Sequence, residues 1–279
     1  MSRSAVASSQ EEICRQIQQQ GFVVIPDALD QAQIALANRV IDADVRSNAQ
    51  SWARFDETLS ESVDILSRTG ELDFTIENPI TLEPLRMLLG EQIALEEVAL
   101  IIREPTIKPS DIKGWHRDMI RDYSRRMEIQ YISVVYYLTD VSENDHCFSI
   151  IPETHNRLVD MKPEEVKAGD EVDITGPAGT AIIFHGRCIH NGKLKPHSRQ
   201  RRTLHIYYWL ANRPRTTEWT EIPSRLYEKV DPALPPLLYS KWNITEFIDG
   251  VGRKPRDLDP SMSVAEMLME VQRRANKKP

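Results

Sequence analysis

The sequence predicts a mainly β protein with flanking helices, folded as an antiparallel sandwich or barrel. Between about residues 93 and 212, short β-rich runs are separated by Gly, Pro, Asn and Asp residues, a pattern typical of many short strands joined by turns. The stretches before and after this region have apolar residues at helical spacing. We therefore expect one domain over residues 1–279, with N-terminal helices over 9–90, a β core over about 93–212 and a C-terminal covering segment over 213–279.

Helix and strand signals alternate in the N-terminal part of the chain. The stretch SSQEEICRQIQQQG predicts a helix with Ser9 as its N-cap and Gly21 just past its end. FVVIP, residues 22–26, has the apolar character of a short strand that a proline stops. A second, amphipathic helix is expected to begin at Asp30, and TLEPLRMLLG predicts a third that ends at Gly90.

The β core is expected in five runs, which are IALEEVALIIRE, IQYISVVYYLTDV, CFSIIPETHN, DEVDITGPAGTAIIFHGRCIHN and RRTLHIYYWLAN. After residue 212 the chain becomes rich in proline, which favours irregular structure covering the core. SMSVAEMLMEVQRRANKK then predicts a C-terminal helix.

Composition narrows the class of function and the compartment. The formal net charge is −7, which argues against nonspecific nucleic-acid binding because such binding needs a concentrated positive field. The three cysteines, Cys14, Cys147 and Cys188, have no paired spacing and so favour a reducing compartment. The sequence shows neither a signal-peptide pattern nor the roughly 18 apolar residues that a membrane helix needs. We therefore expect a cytoplasmic protein that binds neither nucleic acid nor membranes.

A histidine and an aspartate two positions apart, His116 and Asp118 in GWHRD, are the first candidate metal ligands. In an extended segment such side chains point to the same face. An imidazole nitrogen and a carboxylate oxygen are both good ligands for a divalent first-row metal. Two ligands hold a metal poorly, so the pair predicts a metal site only if a third ligand comes from elsewhere in the chain.

His190 is the preferred third ligand. We expect it to end an apolar strand, with a turn at Asn191-Gly192 before the chain re-enters a β run at Arg201. Two β runs joined in this way can lie antiparallel, which would bring His190 and the arginine together. Two histidines and one carboxylate form the facial triad that non-haem Fe(II) oxygenases use, and this triad leaves metal positions open for other ligands.

Arg201 is the predicted partner of a co-substrate, 2-oxoglutarate. A guanidinium is planar and permanently charged, so it can bind the distal carboxylate of this keto acid with two hydrogen bonds. In RRTLHIYYW, Arg201 shares a face with Thr203 and His205, and Arg202 lies on the other face. The first face is the more polar, so we place Arg201 inside the barrel and Arg202 outside, although a register error of one residue would reverse this.

These motifs resemble those of a known family, the phytanoyl-CoA dioxygenase-like (PhyH-like) branch of the Fe(II)/2-oxoglutarate-dependent oxygenases. The resemblance covers roughly residues 12–212. Its segments are QQQGFVVIPDAL, GWHRD, VVYYLTDVSENDHCFSIIPETHN and the stretch from GTAIIFHGRCIHN to RQRRTL. In the last stretch Arg201 follows His190 by eleven residues, which is the spacing found in the family. Departures from the family pattern are expected in turns, at Asp145, in PETH (152–155) and at Asn191-Gly192, and not at the candidate metal ligands.

The resemblance implies a fold, cofactors and a reaction. It implies a double-stranded β-helix, the cupin-like jelly roll, with Fe(II) bound by His116, Asp118 and His190 and with 2-oxoglutarate held by Arg201. It also implies oxidation by O2 of a small-molecule substrate, with hydroxylation of a C–H bond as the expected outcome and succinate and CO2 as co-products. The carboxylate at Asp118 favours oxygen insertion over halogenation, since related halogenases have a small residue at that position.

Further residues are candidates for the co-substrate site. Gln130 and Ser133 lie on the strand after the His-x-Asp motif, and we choose Gln130 as a hydrogen-bond partner of 2-oxoglutarate. Thr203, which shares the face of Arg201, is the other cofactor-binding candidate. His205 is either a contact of 2-oxoglutarate or substrate, or a core histidine with satisfied hydrogen bonds.

Several other residues have a structural interpretation beside a functional one. We expect His185 and His155 to be structural, and a zinc site that includes Cys188 is disfavoured because no cysteine pair accompanies it. The arginines near the motif either meet an anionic substrate or form a solvated loop; they are Arg117, Arg121, Arg125 and Arg126.

Two alternatives to hydroxylation stay open at the level of sequence. The same triad could catalyse desaturation, epoxidation or ring formation, because substrate placement decides that outcome. A non-catalytic cupin-like metal-binding protein is the other alternative, and it predicts a broken triad or no equivalent of Arg201.

Overall fold

The computed structural model describes residues 9–106, 114–118, 129, 131–156, 161–196, 198–212, 217, 219–240, 258–259 and 261–275. Within these residues the strands are β1 (Phe22–Ile25), β2 (Ala53–Arg54), β3 (Leu59–Ser62), β4 (Ile93–Arg103), β5 (Tyr131–Tyr137), β6 (Cys147–Ile150), β7 (Val172–Ile174), β8 (Ala181–His185), β9 (His190–Lys193) and β10 (Arg201–Leu210). The helices are α1 (Gln10–Gln20), α2 (Gln31–Ser47), α3 (Ile65–Arg68), α4 (Asp73–Ile76), α5 (Pro79–Leu89), α6 (Ser224–Tyr227) and α7 (Val264–Ala275). No helix in this part of the chain is both long and apolar enough to cross a bilayer.

Two antiparallel sheets face each other. The larger sheet has the strand order β1-β8-β5-β10-β4-β3-β2, and the smaller has the order β7-β6-β9. Alternation along β5 shows how the layers form. Val134 and Tyr136 pack in the cluster that includes the helices, whereas Val135 and Tyr137 pack in the cluster that includes the smaller sheet. The mainly β fold with flanking helices and the cupin-like jelly roll are therefore confirmed.

The N-terminal helices begin and end where their capping residues predict. The Ser9 side chain accepts a hydrogen bond from the backbone N–H of Glu12 at the start of α1. Gly21 ends this helix with φ of 87°, a left-handed conformation that glycine adopts without steric cost. Asp30 caps α2 with a reciprocal capping box, and Gly90 follows the end of α5. Local chemistry thus sets these boundaries.

The N-terminal part of the chain also contributes two strands that the sequence did not predict. β3 pairs with β4, and β2 pairs with β3 at the edge of the large sheet. Leu59 on β3 lies in the wall of the cavity described below. These strands are short and polar, so their pairing depends on the neighbouring β4 more than on their own pattern.

The predicted position of His190 at the end of an apolar strand was wrong. That strand, β8, ends at His185, and the turn follows there, with the N–H of Cys188 donating to the carbonyl of His185. His190 begins β9 in the smaller sheet, and Asn191-Gly192 is paired with β6 and does not form a turn. The turn contains Gly186, where a side chain would come within 2.4 Å of the Tyr131 ring. Close packing at Gly186 thus admits only a residue without a side chain in this turn, and Asn191-Gly192 is taken up by the pairing with β6.

Candidate active site

Backbone pairing brings His116 and His190 together from distant parts of the chain. The N–H of His116 donates to the carbonyl of His190 at 3.1 Å, and the N–H of His190 donates to the carbonyl of His116 at 2.9 Å. This reciprocal pair is an isolated antiparallel bridge, and it places the two ring centroids 4.3 Å apart. Phe148 and Phe184 pack against the His190 ring, so its position is fixed by apolar contacts as well.

The structure places the three predicted ligands around one point. Nε2 of His190 lies 3.3 Å from Oδ1 of Asp118, and Nε2 of His116 lies 3.6 Å from the same oxygen. One ligand atom from each residue lies within 4.8 Å of the other two. Two imidazoles and one carboxylate at this spacing could hold one metal ion, and the set matches the facial triad of non-haem iron sites.

Both histidines present the ring nitrogen that a metal needs. Nδ1 of His116 lies 3.0 Å from the carbonyl oxygen of Gly114, and Nδ1 of His190 lies 3.0 Å from that of Cys188. A carbonyl only accepts hydrogen bonds, so Nδ1 of each ring is a donor, and Nε2 is the nitrogen that faces the triad. Such contacts orient the ligands of metal sites and raise their basicity. Cys188 thus serves the site with its carbonyl and not with its thiol.

Asp118 is held as a carboxylate. Burial alone would raise its pKa, but the adjacent His190 and His116 lower the pKa to about 2. Oγ of the buried Ser133 donates to Oδ2 of Asp118 at 3.3 Å, which leaves Oδ1 for the side facing the histidines. Ser133 therefore orients a predicted ligand, whereas the sequence suggested it as a contact of the co-substrate.

Arg201 lies in the wall of the same cavity as the triad. It is 6% exposed, and its Nε and Nη1 have no hydrogen-bond partner among the described residues. Arg202, by contrast, points outward and pairs with Asp42 at 2.8 Å. The predicted inside and outside positions are thus confirmed. Burial lowers the pKa of Arg201, yet a guanidinium stays charged at neutral pH, so the cavity holds a cation whose Nε and Nη1 have no hydrogen-bond partner among the residues that the structure describes.

The other cofactor-binding candidates differ in position. Thr203 is buried in the cavity wall beside Arg201, where its hydroxyl forms a 3.0 Å hydrogen bond with Nε2 of His205. His205 also lines the cavity, so both residues lie where a co-substrate could meet them. Gln130 lies outside the described residues, and its role stays a prediction.

The residues with structural interpretations lie away from the triad. His185 is buried and accepts from the N–H of Arg187, and His155 hydrogen-bonds the carbonyl of Gln18. The guanidinium of Arg117 donates to three backbone carbonyls, those of Arg187, Thr154 and Met161. Arg121, Arg125 and Arg126 lie outside the described residues.

Sequence reasoning missed Arg103, which ends β4 and lines the cavity directly opposite Arg201. A signal was present, since ALIIRE places a charge at the end of an apolar run. That charge could equally have marked the surface end of a strand. Only the pairing of β4 with β10 shows that it points inward.

Asp145, one of the departures from the family pattern, anchors the approach to β10. Its carboxylate accepts from the N–H and hydroxyl of Ser142 and pairs with Arg199 at 2.7 Å. The hydrogen bond from Arg199 lowers the pKa of Asp145, so the carboxylate is charged at neutral pH. The turn is therefore tied to the residues that immediately precede Arg201.

Two buried histidines outside the triad should make folding stability depend on pH. Burial lowers the pKa of His146 to about 4 and that of His185 to about 3, below the ordinary value of about 6.5. Their contribution is fully present above about pH 6.5 and is lost as pH falls towards 4, because protonation then favours the unfolded chain. Denaturant unfolding of metal-free protein should give a lower free energy of unfolding at pH 4.5 than at pH 7, by on the order of 2 kcal/mol for each histidine.

The matched variant is His185→Gln, which keeps an acceptor for the N–H of Arg187. The free energy of unfolding of this variant should fall less steeply with decreasing pH over the same range. The difference in slope should correspond to the uptake of up to one proton fewer on unfolding. Carboxylates with lowered pKa values, such as Asp118, also lose stabilisation as pH falls below about 5, but they do so equally in the variant and in the unsubstituted protein, so the difference between the two reports His185. Equal slopes for the variant and the unsubstituted protein would contradict the assignment to His185.

Comparison with known proteins adds a family and a set of related folds. The sequence model of the family described as phytanoyl-CoA dioxygenase (PhyH) matches residues 17–203. A search of curated proteins gives no significant match. Among solved structures, the epimerase SnoN in complex with Fe3+, alpha ketoglutarate and nogalamycin RO superposes with a TM-score of 0.60 at 16% identity, over 72% of this chain and 84% of that one.

Two further structures share the fold. HygX from Streptomyces hygroscopicus, solved with nickel, 2-oxoglutarate and hygromycin B, gives a TM-score of 0.61 at 14% identity, over 74% of this chain and 89% of that one. AviO1 from Streptomyces viridochromogenes Tue57 gives a TM-score of 0.61 at 17% identity, over 75% of this chain and 99% of that one. At these identities the structures establish the fold, and the family match spans more than half of the chain. The chain therefore belongs to the phytanoyl-CoA dioxygenase (PhyH) family, and it is an Fe(II)- and 2-oxoglutarate-dependent dioxygenase.

Proposed function

We propose that this dioxygenase hydroxylates a C–H bond of a small molecule, with Fe(II) held by His116, Asp118 and His190 and with 2-oxoglutarate held by Arg201. The observation that carries the proposal is one cavity with two contrasting ends. Three metal-ligand atoms lie within 4.8 Å of one another, and a buried guanidinium without a hydrogen-bond partner at Nε and Nη1 among the described residues lies in the same wall.

The donor set fits Fe(II). Nδ1 of each histidine is engaged by a backbone carbonyl, so Nε2 is the ring nitrogen left for a metal, and Asp118 adds a carboxylate oxygen beside both rings. Three ligands on one side leave the remaining positions of an octahedral ion open. When bound there, Fe(II) and 2-oxoglutarate supply the activation of O2, with succinate and CO2 as co-products.

Arg201 positions the co-substrate. Its buried guanidinium offers N–H donors to a carboxylate, and an ion pair is stronger when buried than at the surface. Thr203 and His205 follow Arg201 on β10 and line the same cavity as the triad. A diacid with one end near the triad and the other at Arg201 fits this order, and Thr203 lies beside its path.

The substrate is a small molecule, and we propose nothing narrower about its class. An anionic substrate group has little support, since Arg117 is engaged with backbone carbonyls. We further propose one domain over residues 1–279, which is supported by the packing of Ala265 and Leu268 of α7 against Ala53 and Ala99 of the large sheet. A cytoplasmic location is supported by three buried free cysteines, Cys14, Cys147 and Cys188.

Anaerobic titration with Fe(II) and 2-oxoglutarate tests this proposal. We expect a visible metal-to-ligand charge-transfer absorption, and succinate should form when air is admitted. Candidate small molecules can then be screened for stimulated succinate release, and the product of a stimulating compound should gain one oxygen atom by mass spectrometry. Iron binding without the absorption and without succinate would instead indicate a metal-binding protein that does not turn over.

A further inference from the structure

We propose that Arg103 is a second positioning residue for the co-substrate, and that Arg103 and Arg201 together hold the distal carboxylate of 2-oxoglutarate. The inference rests on the proposed function and names a residue beyond the ligand set given above. It starts from the antiparallel pairing of β4 with β10, in which Arg103 and Arg201 are direct Cα partners. Directly opposed side chains on one face of such a pair have Cβ atoms about 4.5–5.5 Å apart.

Both guanidiniums are buried in the same cavity wall. Arg103 is 4% exposed and Arg201 is 6% exposed. Burial, together with the charge of Arg201, lowers the pKa of Arg103 to about 10, so both groups are cations at neutral pH. Two buried like charges side by side are costly unless an anion compensates them.

The protein provides this compensation for Arg103 only in part. Nη1 of Arg103 donates to Oγ1 of Thr58 at 2.9 Å and lies 3.6 Å from Oδ2 of Asp56, and Glu61 also acts on its charge. Arg201 has no ion pair with a carboxylate among the described residues, and its burial lowers its pKa. The pair of arginines therefore keeps positive charge that an incoming anion would neutralise.

Hydrogen-bond donors point to the same conclusion. Nε of Arg103 and both Nε and Nη1 of Arg201 are buried without a partner among the described residues. A carboxylate has two oxygens and about four acceptor positions, so it can accept from two guanidiniums at once. The neighbouring His146 does not compete, because its two ring nitrogens are engaged with the backbone of Glu104 and Lys195.

The anion that fits is the distal carboxylate of the co-substrate. Arg201 already occupies the position proposed for that contact, and Arg103 lies directly opposite it in the ladder. The structure thus assigns Arg103 a role in co-substrate selectivity, since a keto acid without a distal carboxylate would leave two buried cations uncompensated.

Calorimetric titration of the Fe(II)-loaded protein under argon tests the assignment, with 2-oxoglutarate and 2-oxopentanoate as ligands. The second ligand has the same carbon chain without the distal carboxylate. Arg103→Gln should weaken binding of 2-oxoglutarate about tenfold or more and leave binding of 2-oxopentanoate within about twofold. Arg103→Lys keeps the charge but loses the planar fork, and its affinity for 2-oxoglutarate should be intermediate.

Thr58→Val is the matched control for a merely structural role. It removes the loop hydrogen bond of Arg103 but keeps the guanidinium, so its affinity for 2-oxoglutarate should be unchanged. The double variant Arg103→Gln with Arg201→Gln should bind 2-oxoglutarate more weakly than either single variant. The factor by which its affinity falls should be smaller than the product of the two single factors, because both arginines bind one carboxylate.

The outcomes separate this inference from the proposed function. If the unsubstituted protein binds no 2-oxoglutarate, the proposed function fails. If Arg201→Gln weakens binding but Arg103→Gln does not, or if Arg103→Gln weakens both ligands equally, only the assignment of Arg103 is overturned. Thermal unfolding should show whether each variant is folded. If Arg103→Gln is poorly folded, the affinity of a folded Arg103→Lys protein for 2-oxoglutarate decides the question instead.

Discussion

Replacing His190 with alanine is expected to abolish iron binding and succinate formation. The substitution removes one of three ligand atoms, and the two that remain, on His116 and Asp118, lie 3.6 Å apart without a third. Loss of a residue that merely orients a ligand typically weakens metal binding about 10- to 100-fold, so loss of a ligand should cost at least that much. Equilibrium dialysis with Fe(II) under argon and succinate release in air are the measurements.

The control for this prediction is His185→Gln, which changes a buried histidine five positions earlier in the chain. His185 lies outside the group of candidate ligands, so the variant should bind iron as the unsubstituted protein does. The His190→Ala protein should also keep its fold, because the backbone bridge between residues 116 and 190 does not involve the side chain. Undiminished turnover in His190→Ala would show that the third ligand is wrong.

Replacing Arg201 with glutamine is expected to raise the KM for 2-oxoglutarate by 10- to 100-fold. The variant removes charge-assisted hydrogen bonds to a desolvated carboxylate, each worth about 1.5–3 kcal/mol. At saturating 2-oxoglutarate kcat should fall less than kcat/KM, because the triad itself is untouched. Initial rates of succinate formation at varied 2-oxoglutarate give both constants.

Arg202→Gln is the matched control, since Arg202 is the next residue of the same strand and points outward to Asp42. It removes the same charge from the protein and should leave the KM for 2-oxoglutarate within about twofold. If the two variants raised KM equally, the effect would come from net charge or from the strand, and Arg201 would not be the co-substrate partner.

Much of the fold could be predicted because its signals are local. Ser9, Gly21 and Asp30 cap helices through contacts within three or four residues, and alternation in RRTLHIYYW was enough to place Arg201 inside and Arg202 outside. The short β2 and β3 could not be predicted, since their partner strand stabilises them and their own pattern is polar.

The candidate site divides in the same way. His116 and Asp118 are recognisable because their spacing of two is a local feature, and strand patterns together with the family resemblance pointed to His190 and Arg201. The position of His190 within the strands was wrong, because residues 190–193 pair with β6, which is distant in the sequence. The hydrogen bond of Ser133 to Asp118 and the inward position of Arg103 were not predicted, because both depend on partners that lie far away in the sequence.

The sequence by itself determined the helix ends, the strand runs and the residue types of a His-Asp-His iron site with an arginine partner. Only the tertiary structure decided that His190 pairs with His116 in an isolated bridge, that carbonyls of Gly114 and Cys188 orient the rings, and that a second arginine faces Arg201. The physical reason is that capping and alternation act over a few residues. The geometry of the site is instead set by the register between strands that are distant in the chain.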